Sequence, residues 1–412
     1  MESTKGVYFG IDINSKCAVA SIYKPNMEEP ATISTVLGTE NYTIPTCISK
    51  KYGMSQWYFG DEAIKRAKTK EAILVEDLYN MAVRDASILL EDTSYAAKDL
   101  LTVFFKKLFS FPGATVALEQ IERLVVCVEQ VSYETMELMT YITMKLGIDA
   151  KRLMLIDKQE SFYHYALSQK PELFLYDVAL FDFSGQNLVS TILKRNQNVH
   201  PQVIKLDVIN HGAFADNRDL IFDDIISKTF GNNLISSVYL VGDGFDGDWM
   251  KTSLTHLCRG RKVFLGKNLY SKGACYAGFI KDGGRDWPFI YIGDNDLKLN
   301  LSIRIYDDNE LKFYTLIDAG QSWYDVKGEC EVILDGSPEI EFYIQRPDSR
   351  EAHIEVLELT DLPERENRTT RLRIIASPQS DKSVDITIMD LGFGEISPSS
   401  SKTWEHTISL KN

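Results

Sequence analysis

The feature of this chain that most constrains its fold is a strand–turn–strand pattern that occurs twice. Each copy has an apolar strand ending in an aspartate, a short turn of small or polar residues, and a second strand. The copies are GVYFGIDINSKCAVASIY (6–23) and DVALFDFSGQNLVSTILK (177–194), and their aspartates are Asp12 and Asp182. A repeated supersecondary unit fixes an architecture. We therefore predict two related halves whose acid-bearing turns face a shared groove, of the kind that cradles a nucleotide.

Strands and helices alternate after each copy. VVCVEQVSYETMELM in the first half matches VYLVGDGFDGDWMKTSL in the second, and LMLIDKQESFYHYAL matches KVFLGKNLYSKGACYA. Such alternation predicts sheets with helices packed on their faces, an α/β fold. We place a first lobe at 1–172, with a helical insertion at about 40–115 that is mostly helix from Asp61 to Phe109. A shortened second lobe follows at 173–285.

The texture of the sequence changes after about Asp286. Segments such as ELKFYTLID, EIEFYIQ, RLRIIAS and VDITIMD alternate apolar and polar residues, and turn residues separate them. Short alternating strands at this spacing are typical of an antiparallel β-sandwich. We predict such an all-β domain at 286–412 and leave its role open between a structural cap and a binding module.

Composition narrows the classes of partner. The net charge of −14 argues against non-specific nucleic-acid binding, which needs a basic surface. The sequence has no apolar run long enough to span a bilayer, and MESTKG has no signal core. We expect a cytoplasmic protein with no membrane partner. The six cysteines lack C-x-x-C spacing, which indicates free thiols instead of a disulfide framework or a zinc site.

Three motifs bring the chain close to a known family. FGIDINSK (9–16) and LFDFSGQN (180–187) look like a first and a second phosphate loop, and LVGDGFDGDWM (240–250) looks like an adenosine motif. Over about residues 6–282 the chain resembles the actin-like ATPase superfamily, nearest to the seventy-kilodalton heat-shock (DnaK-like) chaperones. The resemblance implies two ribonuclease-H-like lobes around a central cleft.

The resemblance also implies roles for individual residues. Asp12, Glu160 and Asp182 would be catalytic, with Asp12 and Asp182 holding Mg²⁺ through water. Mg-ATP or Mg-ADP would be the ligand, held mainly by backbone groups, because phosphoryl transfer depends on positioning and charge stabilisation. The residues implied to bind it are Asn14, Ser15, Lys16, Ser184, Gly185, Gln186, Gly242, Asp243 and Gly244.

The sequence departs from the family pattern at the loop positions that would contact the nucleotide. Asn14, Ser184, Gln186 and Asp243 stand where the family has glycine, which suits phosphate loops because it lacks a side chain and admits positive φ. FGDEAIKRA (59–67) resembles the segment that supplies a catalytic lysine, but Ile64 takes the aligned place. Only 60 positions separate Asp182 from Gly242 (242 − 182), which leaves no room for the helical insertion that closes over adenine in the chaperones.

Other interpretations of these residues remain open. Asp12 and Asp182 are also what strand-ending turns use for structural reasons. Glu160 also suits the first turn of a helix, where negative charge favours the helix dipole. GDGFDGD (242–248) resembles a calcium loop but lacks the terminal glutamate.

Two functions follow from these observations. The favoured one is a degenerate chaperone-like or actin-like protein that binds or scaffolds a protein or peptide partner, with weak or no nucleotide hydrolysis and no required cofactor. The alternative is an active Mg-ATP-dependent chaperone-like ATPase in which the nucleotide state controls the C-terminal β domain.

Overall fold

The computed structural model has a mixed α/β architecture that falls into two compact units, Met1–Phe289 (unit 1) and Ile290–Asn412 (unit 2). Their boundary lies four residues beyond the predicted one. The described residues are 6–36, 38–111, 117–198, 200–214, 216–293, 296–307, 310–324, 326–346, 351–395 and 397–410. Within these ranges, no helix has the length and apolar character needed to cross a bilayer. All six cysteines are free, as predicted, and Cys258 is exposed.

The first half of unit 1 (6–172) contains a sheet, an insertion and five helices among its described residues. Its elements are β1 (Val7–Ile13), β2 (Cys17–Tyr23), β3 (Ala31–Thr32), β4 (Ile44–Pro45), β5 (Ile48–Lys51), β6 (Trp57–Phe59), α1 (Gly60–Lys68), β7 (Ala72–Val75), α2 (Leu78–Val83), β8 (Ser87–Leu90), β9 (Thr93–Ala96), α3 (Ala97–Leu108), β10 (Ile121–Val128), α4 (Tyr133–Leu146), β11 (Leu153–Asp157) and α5 (Lys158–Leu167).

The second half of unit 1 (173–289) is shorter. Its elements are β12 (Asp177–Ser184), β13 (Asn187–Asn196), β14 (Gln202–Ala213), α6 (Arg218–Phe230), β15 (Ile235–Val241), α7 (Thr252–Leu257), β16 (Lys262–Leu265) and α8 (Leu269–Lys281), after which β17 (Phe289–Tyr291) spans the boundary between the units.

The main sheets of the two halves have the same topology. The first contains the strand order β11-β10-β1-β2-β3 and the second the order β16-β15-β12-β13-β14. In each sheet, the two strands of the repeated pattern and the strand that follows them pair antiparallel; these are β1, β2 and β3 in the first sheet and β12, β13 and β14 in the second. The two strands that come later in the chain join each sheet in parallel. The hairpins of the repeated pattern, β1–β2 and β12–β13, therefore occupy equivalent positions.

Helices α5 and α8 join the two halves. Helix α5 follows the first sheet, yet Phe162 and Tyr165 pack on Tyr239 of the second sheet, with ring centroids 6.4 and 5.4 Å apart. Helix α8 follows the second sheet, yet its backbone crosses β1 so closely that a Cβ at Gly10 would lie 2.2 Å from the Ser271 oxygen. Helix α8 thus packs on the sheet of the first half, and α5 contacts the second sheet through these two rings.

The predicted helical insertion is only partly helical. Helices α1, α2 and α3 are interrupted by the three-stranded sheet β6-β5-β7 and by the hairpin β8–β9. The run AILV (72–75) is short and follows Lys70 at φ 61°, so it pairs with β5 instead of continuing a helix. Residues 112–115 of the predicted insertion lie outside the described residues. In the second half, α6 is the one helix between β14 and β15 within 200–214 and 216–241.

Unit 2 consists of strands in the places where sequence alternation predicts them. They are β18 (Asn300–Asp307), β19 (Glu310–Ile317), β20 (Gly328–Ile333), β21 (Glu339–Gln345), β22 (Ala352–Glu358), β23 (Arg371–Ser380), β24 (Ser383–Asp390) and β25 (Thr403–Ser409). They form two antiparallel sheets, β19-β18-β21-β22 and β20-β23-β24-β25. Both sheets contribute to one buried core that includes Leu301, Phe342, Ile374 and Ile386.

Candidate functional site

Three charged side chains gather at one edge of the first sheet. Strands β1, β10 and β11 are parallel, so their carboxyl ends meet at the edge where α/β folds bind ligands. Asp12 lies near the end of β1, Glu129 directly follows β10, and Lys158 directly follows β11. Lys158 Nζ lies 3.3 Å from Glu129 Oε1 and 3.5 Å from Asp182 Oδ2 of the second sheet. We call Asp12, Glu129, Lys158 and Asp182 the charged cluster.

The two repeated acids have different surroundings. Asp182 is buried and accepts hydrogen bonds from the Ser184 hydroxyl and, at 2.7 Å, from the Tyr270 hydroxyl. Asp12 Oδ1 is buried and has no hydrogen-bond partner among the described residues. Burial raises the pKa of Asp12 to about 7; the Lys158 charge opposes this rise, while Asp182 and Glu129 add to it. Asp12 therefore binds a proton more readily than an exposed aspartate does.

Lys158 keeps its charge in this setting. Burial alone lowers the pKa of a lysine, but the charges of Asp182, Asp12 and Glu129 outweigh it and raise the pKa of Lys158 above its ordinary value. The ammonium also lies 5.3 Å from the ring centroid of Tyr270. A cation at this position neutralises acids that come from both halves of unit 1.

Glu160 lies apart from the charged cluster. Its Oε1 is 3.7 Å from His164 Nε2, on the next turn of α5. Burial, with the nearby Asp157 charge, raises the pKa of Glu160 to about 8, and burial lowers that of His164 to about 3. The structure therefore brings Asp12 and Asp182 together and places the third predicted catalytic residue elsewhere on the helix.

The first turn satisfies its own backbone. Asn14 Oδ1 accepts hydrogen bonds from the amides of Lys16 (2.8 Å) and Cys17 (3.0 Å), and the Asn14 amide donates to the Cys17 oxygen. An asparagine side chain commonly closes a turn in this way. Two of the three amides predicted to face phosphate, those of Asn14 and Lys16, are thus used within the hairpin. Ser15 is half-buried beside them.

The second turn receives a carboxylate from a third loop. The amide of Gly185, at φ 67°, donates to Asp243 Oδ1 over 2.6 Å. Lys16 of the first turn reaches the same place, because a Cβ at Gly185 would lie 3.1 Å from Lys16 Nζ. The Ser184 hydroxyl is bound to Asp182, and Gln186 is exposed. A protein carboxylate therefore lies where the resemblance implies a phosphate oxygen.

The predicted nucleoside loop packs against the strand before the second turn. A Cβ at Gly242, at φ 101°, would lie 2.4 Å from the Phe183 oxygen, and one at Gly244 would lie 2.3 Å from the Phe183 ring. The Gly244 oxygen accepts hydrogen bonds from Arg218 and from Trp249 Nε1. The glycines here serve close packing within the protein.

The geometry does not suit Mg-ATP. Asp12 Oδ1, which no described residue hydrogen-bonds, offers one ligand, but the Lys158 ammonium lies among the acids that would hold the water molecules around the metal. Over the described ranges, no group of three or more His, Cys, Asp or Glu side chains is arranged to hold a metal ion. Asn14 and Asp243 occupy amides that phosphates would need.

Sequence reasoning missed Lys158, Glu129 and the acceptor roles of Asn14 and Asp243. The position of Lys158 carried a usable signal, because it directly follows a parallel strand at the edge where Asp12 lies. Glu129 carried the same signal after β10. The two acceptor roles depend on side-chain directions that residue spacing does not specify.

Comparisons with known proteins return two families. One described as a family of unknown function (DUF5716), C-terminal, matches residues 29–294, and one described as a domain of unknown function (DUF8552) matches residues 296–410. A comparison with curated proteins finds no match.

Proposed function

The chain belongs to the family of unknown function DUF5716, C-terminal, and from the geometry of its charged cluster we propose that it is a degenerate actin-like, chaperone-like protein. In this proposal it binds or scaffolds a protein or peptide partner, with weak or no nucleotide hydrolysis. Unit 1 would be two ribonuclease-H-like lobes and unit 2 a β-sandwich. The identical strand order and directions of the two main sheets support the two-lobe interpretation.

One observation carries the loss of nucleotide hydrolysis: the chain's own groups take the places of ligand groups. Asn14 Oδ1 and the Asp243 carboxylate accept from loop amides, and Lys158 supplies a positive charge beside Asp182. A phosphate would have to displace these acceptors. It would also meet the exposed Asp243 charge, although solvent and the nearby Lys16 ammonium reduce this repulsion below the roughly 4 kcal/mol of two charges about 4 Å apart at an effective dielectric of about 20.

The outward face of one sheet of unit 2 supports partner binding. The sheet is β19-β18-β21-β22. The pairing of residues across its strands places six apolar or aromatic side chains on the face opposite the core. They are Tyr306, Leu311, Phe313, Tyr343, Ile354 and Val356, which we call the outer patch. Phe313 is 63% exposed and packs edge-on against Tyr343, with ring centroids 4.9 Å apart. The Arg304–Glu341 ion pair, at 3.0 Å, lies on the same face between Phe313 and Val356. Exposed apolar groups clustered around a few charged ones are typical of interaction surfaces.

A thermal-shift titration tests the loss of nucleotide binding. A ligand present at about 100 times its dissociation constant stabilises a protein by about 2.7 kcal/mol, which is easily measured. We expect no shift of the wild-type chain with Mg-ATP or Mg-ADP. A clear shift that disappears in Asp12→Ala would overturn the proposal.

A gain-of-binding variant tests the observation that carries it. Asn14→Gly with Asp243→Gly frees the amides of Lys16, Cys17 and Gly185, and we expect this double variant to acquire a shift with inorganic phosphate or ATP. Asp246→Gly, which removes an exposed acid from the same loop, is the matched control and should not respond. If the double variant is folded and equally silent, occupied amides are not what closes the site.

A peptide selection tests partner binding. A random phage-displayed peptide library is selected on the whole chain, and the affinity of selected peptides is measured by titration. We expect Phe313→Asp and Ile354→Asp to weaken binding by about tenfold or more, as central contacts do. Ile333→Asp is the control, because Ile333 is 51% exposed on β20, which belongs to the other sheet. Binding that ignores the outer patch, or no selected peptide, would count against this surface.

One observation favours the alternative, an active Mg-ATP-dependent ATPase. Asp12 Oδ1 is buried and has no hydrogen-bond partner in the described part of the chain, whereas buried polar atoms are normally paired. In the alternative, a ligand would satisfy this oxygen. The Asp12→Ala comparison above separates the two functions.

A further inference from the structure

The charged cluster is unusual in where its charges come from. Its carboxylates lie on three strand ends, with Asp12 and Glu129 from the first sheet and Asp182 from the second. Its ammonium belongs to Lys158, the first residue of α5, the helix that packs on the second sheet. One lysine therefore faces acids from both halves of unit 1.

The contacts hold the ammonium in place. Lys158 Nζ lies 3.5 Å from Asp182 Oδ2 and 3.3 Å from Glu129 Oε1. The same Asp182 oxygen accepts from the Tyr270 hydroxyl, and the Tyr270 ring lies 5.3 Å from the ammonium. A lysine head so arranged has carboxylates on two sides and an aromatic ring on a third, an arrangement that favours a fixed cation.

We propose that the Lys158 ammonium is a built-in counter-cation, which pairs the acids of the two halves and keeps divalent metal ions out of the charged cluster. Carboxylates from two elements repel each other unless a cation lies between them, and here Asp182 is buried while Glu129 is 68% exposed on the solvent side of the ammonium. Either a hydrated metal ion or a lysine supplies this positive charge, and the two repel each other when both are present. This inference deepens the proposed function, since it names the cation that replaces the metal, but it does not depend on whether nucleotide binds.

Removing the lysine charge should turn the cluster into a metal site. In Lys158→Gln no ammonium lies between Glu129 and Asp182, so their side chains can turn into its place and close on a divalent ion, an arrangement that the described residues of wild type do not offer. We expect this variant to have a lower Tm than wild type in chelator, and Mn²⁺, Mg²⁺ or Ca²⁺ at millimolar concentration to restore several degrees of it by mass action. Mn²⁺ binding, followed by electron paramagnetic resonance, should be detected in Lys158→Gln and not in wild type.

Matched variants control the test. Lys158→Arg keeps a cation and should behave as wild type. Lys267→Gln removes another lysine, which lies just beyond strand β16 and pairs with Asp246 at 2.7 Å, and it should show no metal response. Lys158→Gln with Asp182→Asn should lose the response, because one carboxylate is gone. Nucleotide titrations are not used, so failure here leaves the test of the proposed function intact.

Specific results would overturn the inference. A wild-type chain that binds Mn²⁺ through Asp182 would show that metal and lysine coexist. A folded Lys158→Gln that ignores all three metals would show that the acids need no counter-cation. If Lys158→Gln does not fold, Lys158→Gln with Asp182→Asn should fold, because the excess negative charge is reduced; equal failure of both would assign Lys158 to packing.

Discussion

The two halves of unit 1 carry acids at equivalent places and use them differently. Asp12 pairs across the sheet with Cys127, and Glu129 lies two residues further on; Asp182 pairs with Val241, and Asp243 lies two residues further on. Glu129 contacts the Lys158 ammonium, whereas Asp243 accepts from the Gly185 amide. The topology of the sheets thus fixes where an acid lies, and the neighbouring loops decide what it binds.

The largest expected effect concerns Gly10, where β1 has no side chain and β12 has Leu180 at the equivalent place. In Gly10→Ala the new Cβ would lie 2.2 Å from the Ser271 oxygen and 2.9 Å from the Cys275 amide nitrogen, so backbone must move. We expect a loss of about 3 kcal/mol or more in the free energy of unfolding, measured in urea. Gly266→Ala, whose nearest neighbour would be 3.5 Å away, is the control. Equal stability of the two variants would mean that α8 does not cross β1 this closely.

The next effect concerns Glu160, the third residue of α5. The third residue of α8 is Ser271, which is neutral. Folding raises the pKa of Glu160 from 4.5 to about 8, so the folded state binds this proton more tightly than the unfolded state. Stability from this group is therefore fully present below its unfolded pKa and is lost as pH rises toward 8.

We expect Glu160→Gln to gain stability relative to wild type by up to about 1.4 kcal/mol per pH unit between about pH 5 and pH 8. Urea unfolding at several pH values measures the difference. Burial keeps folded His164 neutral over this pH range, and the titration of His164 in the unfolded state is common to both proteins and cancels in the comparison. A difference that stays constant with pH would contradict the burial of an acid at this position.

A smaller effect concerns how equivalent helices begin. Helix α4 is capped by Ser132, the residue directly before it. Helix α7 is capped by Asp219 of helix α6, which accepts hydrogen bonds from the amides of Thr252 and Ser253 and from the Ser253 hydroxyl. We expect Ser132→Ala to lower the free energy of unfolding by about 1 kcal/mol. Asp219→Ala should lower the Tm further than Ser132→Ala does, because three hydrogen bonds are lost. Asp224→Ala, an exposed acid on α6, is the control. A larger effect of Ser132→Ala would reverse the comparison.

The smallest effect concerns the two turns. Asn14→Ala leaves the amides of Lys16 and Cys17 without their acceptor and should cost about 1 kcal/mol. Asp243→Ala frees one amide at an exposed site and should cost less. Calorimetric Tm values measure both. If Asp243→Ala were the more damaging, the second turn would depend on its acid more than the first depends on its asparagine.

Much of the fold could be predicted because it follows local rules. The acid-ending strands, the Ser132 helix start and the strands of unit 2 all lie where period and turn residues indicate. The insertion was harder. Strand β7 is four residues long and pairs with β5, which lies before α1 in the chain, while β8 and β9 are four-residue strands that pair with each other. Strands this short carry too little of the alternating pattern to be distinguished from the helices around them.

The site divides in the same way. Asp12 and Asp182 could be predicted to meet, because a duplicated pattern placed both at strand ends. Glu160 was expected beside them, yet the structure turns it toward His164, since its place on α5 faces away from Asp182 while Lys158 faces it. Which side of a helix meets a neighbour depends on packing between halves, which a single sequence does not reveal.

Helices α5 and α8, which join the two halves, have a consequence for fragments of this protein and for its folding during synthesis. A fragment ending near residue 172 would contain α5 without the Tyr239 surface that covers Phe162, and β1 without the helix that crosses Gly10. Neither half of unit 1 would bury its apolar faces alone. During synthesis the first half would leave the ribosome before its packing partners in the second half. We therefore expect stable folding only after α8 has emerged.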